Sequence, residues 1–173
     1  MPINVFLSVG SPFAPGQEEF VASLEANLIA HNLRPRTVGR TDFTNGQPLR
    51  FVNQLMDSCA GTIVVALERV QVLNGFERKG SPRQETLTNI EIATPWNQIE
   101  AAFAYAKKLP LLVIKGDNVK GDGLLEKGHD WYVHSTQVDQ TFLNQNSSRA
   151  PSKTGIAMSL KKRAGLAAAT NSS

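Results

Sequence analysis

The chain has 173 residues (18.8 kDa), a single-domain length, and its 41% hydrophobic and 19% charged residues exclude wholesale disorder. The formal charge of +3 is unevenly placed: residues 1–143 hold all 15 acids against 13 bases, a net of −2, while residues 144–173 hold five bases and no acid. A slightly acidic body lacks the clustered positive face that nucleic-acid binding needs, and the single cysteine, Cys59, excludes an internal disulfide or a Cys-cluster zinc site.

The opening residues, MPINVFLSVG, have no basic region before their apolar run, so they do not read as a secretion signal. No apolar stretch reaches the roughly 18 residues of a membrane span. The expectation is a cytoplasmic protein with no membrane span.

Residues 3–8 (INVFLS) read as a buried strand ending in the turn-forming run SVGSPFAPG. Residues 16–32 follow as an amphipathic helix with Phe20, Leu24 and Leu28 in one stripe. Residues 33–38 form a weaker second strand, and GRTDFTNGQP after it is a polar loop. Residues 48–58 read as a helix with Phe51, Val52 and Leu55 on one side. Residues 62–67 (TIVVAL) are the clearest strand, apolar without alternation, as in parallel strands covered on both faces.

Residues 68–93 read as a long irregular insertion with turn signals at 74–75 (NG) and 80–82 (GSP). Thr94-Pro95 supplies an N-cap and a first-turn proline for a helix over 96–108. On it, Ile99, Ala102, Phe103 and Ala106 are the expected apolar face. Residues 109–115 (LPLLVIK) form another buried strand, 124–127 a single helical turn, and 131–134 a last short strand. Residues 144–173 form a basic, flexible tail in which 144–157 are a linker by composition, and 158–169 read either as a solvated terminus or as a short basic helix for an acidic neighbour, a phosphate or a membrane surface.

Strands alternating with helices predict an α/β protein, a flavodoxin-like doubly wound sheet of about five parallel strands in the order 2-1-3-4-5. Ligands of such sheets lie at the carboxyl ends of the strands. That edge collects residues 8–16, 39–46, 68 onward and the helix start at 94–96.

Neither G-x-x-x-x-G-K-[ST] nor G-x-G-x-x-G follows the first strand, so no phosphate-loop or dinucleotide fingerprint is present. His31, His129 and His134 lack metal-ligand spacing, and no metal is expected. Trp96 and Glu100 are four apart and share one helix face near its N-terminus. Glu100 is thus a carboxylate among aromatic and apolar residues at the ligand edge, an arrangement that positions a carboxylate and excludes water. The same spacing is equally met by a surface glutamate and a packing tryptophan.

The run Trp96-Asn97-Gln98-Ile99-Glu100 resembles the tryptophan–glutamate motif of Toll/interleukin-1 receptor (TIR) domains, whose enzymatic members cleave NAD. The first strand VFLS and the Arg40-Thr41-Asp42-Phe43 loop are similar to the same family. The run from Glu100 through Ala102 and Ala104 to Pro110 is also similar to the nucleoside 2-deoxyribosyltransferases, which carry a nucleophilic glutamate on the equivalent helix. The resemblance covers roughly residues 3–135, and the insertion at 68–93 is longer than in a plain TIR domain.

Both relatives break an N-glycosidic bond through an oxocarbenium-like transition state, which a fixed carboxylate stabilises or captures. The resemblance implies an NAD hydrolase or cyclase of bacterial antiviral defence or cell-death signalling, with NAD or a related nucleotide as substrate and no cofactor. Self-association for activity and a sensor partner are also implied. Glu100 is the expected catalytic residue and Trp96 shapes the pocket. Ser8 and Phe13 would contact the nicotinamide riboside half, with Arg40 and Asp42 flanking. Ser8 as a strand end, Phe13 as a core cap and Arg40 as a solvated charge read equally well. A deoxyribosyltransferase-like N-glycosidase and a non-catalytic nucleotide-binding module are the alternatives.

Overall fold

The computed structural model describes residues 1–137. The basic segment at 144–173 and the boundary placed at 143 lie outside the described residues. Five strands form one parallel sheet: β1 (Ile3–Val9), β2 (Leu33–Arg36), β3 (Thr62–Ala66), β6 (Leu111–Gly116) and β7 (Tyr132–Thr136). Their spatial order is β2-β1-β3-β6-β7, which is 2-1-3-4-5 when only these five are numbered. The architecture is therefore the flavodoxin-like one expected.

Burial follows position in the sheet. Every residue of the central strands β3 and β6 is buried, which explains their continuous apolar sequence. β2 is an edge strand and tolerates Pro35, opposite Val5 in the β1–β2 register, because an edge strand needs ladder donors on one side only.

The period of two along β1 sorts the core. Val5 and Leu7 meet Phe20, Leu24 and Leu28 of α1 (Pro15–Ala30) on one face. Phe6 turns to the other face and packs on Val52, Leu55 and Met56 of α2 (Pro48–Asp57). Ser8 has the parity of Phe6, so it too faces the α2 and α3 (Pro95–Ala106) side. That parity is what delivers its hydroxyl to the site.

Two expectations are corrected. The segment at 68–93 is a regular antiparallel hairpin, β4 (Val70–Glu77) and β5 (Glu85–Ile92), running in register from Val70 opposite Ile92 to Glu77 opposite Glu85. Asn74-Gly75 sits inside β4, and the reversal occurs at the GSP signal, where Gly80 takes φ +78°. The alternation Val70, Val72, Asn74, Phe76 against Thr86, Thr88, Ile90, Ile92 is the strand signal that outweighs the turn dipeptide. The hairpin docks through β5: Glu91 N–H donates to the Asn118 carbonyl (3.2 Å), and Lys120 N–H to the Glu91 carbonyl (2.8 Å).

The second correction concerns α3. Its buried face is Asn97, Glu100, Ala101 and Ala104; Ile99, Ala102 and Ala106 are exposed and Phe103 is half-buried. Small residues at 101 and 104 let the helix lie close on Val64, Ala66 and Val113 of the sheet. Helix packing thus selects small side chains over the larger apolar ones. The helix start is as expected, with Pro95 in the first turn and Thr94 as N-cap, its Oγ1 accepting from Trp96 N–H at 3.4 Å. A single 3-10 turn (Gly123–Leu125) precedes β7.

Candidate active site

At the carboxyl ends of β1 and β3 the chain must leave the sheet, and the first turn of α3 descends beside them. The opening between is a cavity of about 520 Å³, walled by residues of the β1 loop (Val9 to Ser11), the segment after β3 (Leu67 to Arg69) and the α3 start (Thr94 to Asn97, with Glu100). That volume is within the range of small-molecule sites, and its position is the usual ligand edge of an open α/β sheet. Gly10 permits the narrow approach: a Cβ there would lie 3.1 Å from Thr94 Cγ2.

Glu100 is only 8% exposed, yet it lines this cavity. Burial disfavours its charged form and pushes the carboxyl from an ordinary value near 4.5 up to about 7, against the opposing effect of a hydrogen bond from Ser8. The Ser8 hydroxyl, itself buried, is held from the other side by Asn97, whose Nδ2 donates to Ser8 Oγ at 3.0 Å and to the Val65 carbonyl at 3.4 Å. A hydroxyl accepting from an amide has its own proton free for the carboxylate. Asn97, Ser8 and Glu100 therefore form a directed chain that ends on the carboxylate. The other amide atom, Asn97 Oδ1, is buried without a hydrogen-bond partner among the described residues.

Of the six expected site residues, the structure brings three together: Ser8 beside the Glu100 carboxyl, and Trp96, 43% exposed, on the cavity wall with Glu100. The other three stand apart from the lining. Phe13 is 59% exposed and its N–H donates to Gln17 Oε1 at 3.2 Å. Arg40 is engaged by two α1 carboxylates, Glu18 at 2.8 Å and Glu25 at 3.0 Å. Asp42 is taken by the Arg36 guanidinium fork and by the Thr41 hydroxyl at 2.8 Å. The loop after β2 spends its charges on its own anchoring, and this connection reaches the cavity through Val38 and Pro48 instead.

Asn97, Gln17, Glu68 and Arg69 line the cavity and were not singled out by sequence reasoning. The available signal for Asn97 was its place three residues before Glu100, on the same side of the helix. For Glu68 and Arg69 it was their place directly after the apolar β3.

Remaining candidates have other roles. Cys59 is buried, its thiol pushed up to about 11 by burial, and its Sγ lies 3.4 Å from the Leu55 carbonyl. Such a thiol packs the core; it is not an activated nucleophile. Among the described residues no group of three or more His, Cys, Asp and Glu side chains is placed to hold a metal ion. His31 Nδ1 lies 2.8 Å from the Asn27 carbonyl, and His129 stacks on Trp131. No helix of the described residues is long and apolar enough to cross a membrane.

Fold and cavity together define a flavodoxin-like α/β protein with an open cavity at the carboxyl edge of its sheet and the buried carboxyl of Glu100 in the wall. No protein-family model and no curated protein matches the chain. Among solved structures it is similar to the metal-soaked flavodiiron core of Flv1 from Synechocystis sp. PCC6803, with a TM-score of 0.43 and 11% identity over 98% of this chain. The match spans 36% of that protein's chain. The fold assignment rests on the strand order itself.

Proposed function

We propose that this protein cleaves the N-glycosidic bond between nicotinamide and ribose in NAD, as a TIR-like hydrolase or cyclase. The observation that carries the reading is the Glu100 carboxyl, buried in the wall of the cavity beside Trp96 and fixed by Ser8. The scissile bond joins a cationic pyridinium nitrogen to the anomeric carbon. Its electron pair leaves with the ring, which departs as neutral nicotinamide, so no strong general acid is required. Positive charge is left on the ribose, where a carboxylate in a desolvated wall stabilises it far better than in water. In hydrolysis a water adds to the anomeric carbon and its proton passes to Glu100. In cyclisation a nitrogen of the adenine takes the place of the water.

The raised value of Glu100 supports this role. A carboxyl near 7 is available as an anion at neutral pH and as a proton acceptor after attack. Entry of a cationic nicotinamide favours the anion further, so substrate completes the charge state that the chemistry uses.

A second reading has one observation in its favour. Near neutrality Glu100 is partly protonated, and a neutral nucleobase must gain a proton to leave. An N-glycosidase acting on nucleosides, in the manner of the deoxyribosyltransferases, would use that form. A non-catalytic nucleotide-binding module is the third reading, in which Glu100→Gln leaves binding intact. Self-association, implied by the TIR resemblance, belongs to the first reading and predicts activity that rises more than linearly with protein concentration.

The test is chromatography of NAD, and separately of deoxynucleosides, incubated with concentrated protein. Free nicotinamide from the wild type and none from Glu100→Gln is the expected result. Equal rates in the two proteins would overturn the assignment, and release of a nucleobase from deoxynucleosides alone would replace it with the second reading.

A further inference from the structure

The connection from β3 to α3 spans residues 67–94, longer than the roughly 2–6 residues common between a strand and a helix of an α/β unit. Its first residues do not wander. Gln17 Nε2 of α1 donates to the Glu68 carbonyl at 3.2 Å, and Arg69 N–H donates to the Ile92 carbonyl at 2.9 Å, closing the hairpin at its root. Both ends of this short stretch are pinned, and it forms one wall of the cavity. Arg69 therefore presents an exposed side chain from a fixed backbone.

Among the described residues Arg69 is the single cationic residue of the cavity lining, whose other members are Glu68, Glu100 and uncharged residues. Among the described residues no ion pair or side-chain hydrogen bond engages its guanidinium, in contrast with Arg36 and Arg40, each of which is tied to carboxylates. An unpaired guanidinium fork on a cavity wall is suited to a planar or tetrahedral oxyanion, which it can meet with two parallel N–H donors. The 12-residue helix α3 begins on the same cavity and adds the positive end of its dipole.

We propose that Arg69 is the phosphate-reading residue of this cavity, and that the site accepts phosphorylated ligands, nucleotides or dinucleotides, in preference to free nucleosides. The proposal rests on the glycosidic-bond reading for the role of Glu100. On that reading the cavity carries a carboxylate on α3 and a guanidinium at the hairpin root. NAD carries the complementary pair, a cationic pyridinium and an anionic diphosphate. A nicotinamide riboside satisfies only the first.

Calorimetric titration with ADP-ribose and with adenosine, at low and at moderate salt, tests the assignment in the 173-residue chain. Wild type binds ADP-ribose roughly 10-fold or more tightly than adenosine, the scale of a charge-assisted hydrogen-bond pair. In Arg69→Ala the two affinities converge while that for adenosine is retained, which shows that the site is still folded. Arg69→Lys restores part of the preference as a point charge, with a steeper loss at the higher salt. A wild type that does not prefer ADP-ribose, or an Arg69→Ala variant that keeps the preference, overturns the proposal. NAD turnover measured on the same wild-type sample separates the two ideas: phosphate preference without turnover sinks the glycosidase reading and leaves Arg69 as the phosphate residue.

Discussion

Asn97 Nδ2 donates a hydrogen bond to Ser8 Oγ at 3.0 Å, joining the end of β1 to the first turn of α3 across 89 positions of sequence. Ser8 in turn holds the Glu100 carboxyl down, so the Asn97 bond bears on the carboxylate through a second residue. Replacing Ser8 by Ala removes a donor that holds the Glu100 carboxyl down, and its value rises further. The acid limb of the kcat/KM profile for NAD then moves to higher pH, and Asn97→Ala moves it in the same direction by less. A profile unchanged in Ser8→Ala would show that the hydroxyl does not reach the carboxylate in solution.

Glu100 is held at a cost to stability. Its folded-state value lies near 7 and its unfolded value near 4.5, so the native state binds more protons between these pH values. Its contribution to stability is fully present below pH 4.5 and is lost as pH rises through 7. Glu100→Gln removes that dependence. The variant is expected to unfold at a higher temperature than the wild type at pH 8, with a gain of at most about 3 kcal/mol, and the difference shrinks toward pH 5. Thermal denaturation at the two pH values measures it. A variant less stable than wild type at pH 8 would contradict the burial argument.

Trp96 lines the cavity with nearly half of its surface exposed, and on the proposed function that exposed ring face meets the substrate. Trp96→Ala should raise KM for NAD by roughly 10-fold, the scale of one lost aromatic contact with its buried area, and leave the unfolding temperature almost unchanged. Steady-state kinetics beside a melting curve separates the two effects. A large fall in stability with KM intact would place Trp96 in the core.

Asp42 stabilises the loop after β2 through Arg36. The guanidinium beside it holds its carboxyl below the usual carboxylate range, and its bond from Thr41 adds to this. Stability from this pair is present above the ordinary carboxylate value and lost as pH falls through the lowered one. Asp42→Ala leaves a half-buried guanidinium unpaired and is expected to destabilise the protein by about 1–3 kcal/mol at neutral pH. Urea unfolding at neutral and at acidic pH checks it; the deficit should narrow in acid.

Much of the fold was legible in the residues themselves. The continuous apolar runs of β3 and β6 could be satisfied only in the middle of a parallel sheet, and the stripe of Phe20, Leu24 and Leu28 had one helix face to occupy. The site was legible in outline, through Trp96 and Glu100 on one turn of a helix at the ligand edge. The face of α3 was not, since apolarity favoured Ile99 and Phe103 while the approach to the sheet required Ala101 and Ala104. The roles of Arg40 and Asp42 were hidden for another reason. A charged loop residue near a ligand edge can serve either ligand or loop, and only the positions of Glu18, Glu25 and Arg36 show that both serve the loop.

By itself the sequence determined the order of the five sheet strands and the three helices between them, the N-cap of α3 and the slightly acidic character of residues 1–143, because these depend on composition and on neighbours along the chain. The tertiary structure alone decided that 68–93 is a docked hairpin, that Ser8 and Asn97 meet, and that Arg69 shares a cavity with Glu100. Each of these depends on the parity of a strand or the packing of a helix. Parity and packing bring distant residues together only once the sheet has closed beneath them.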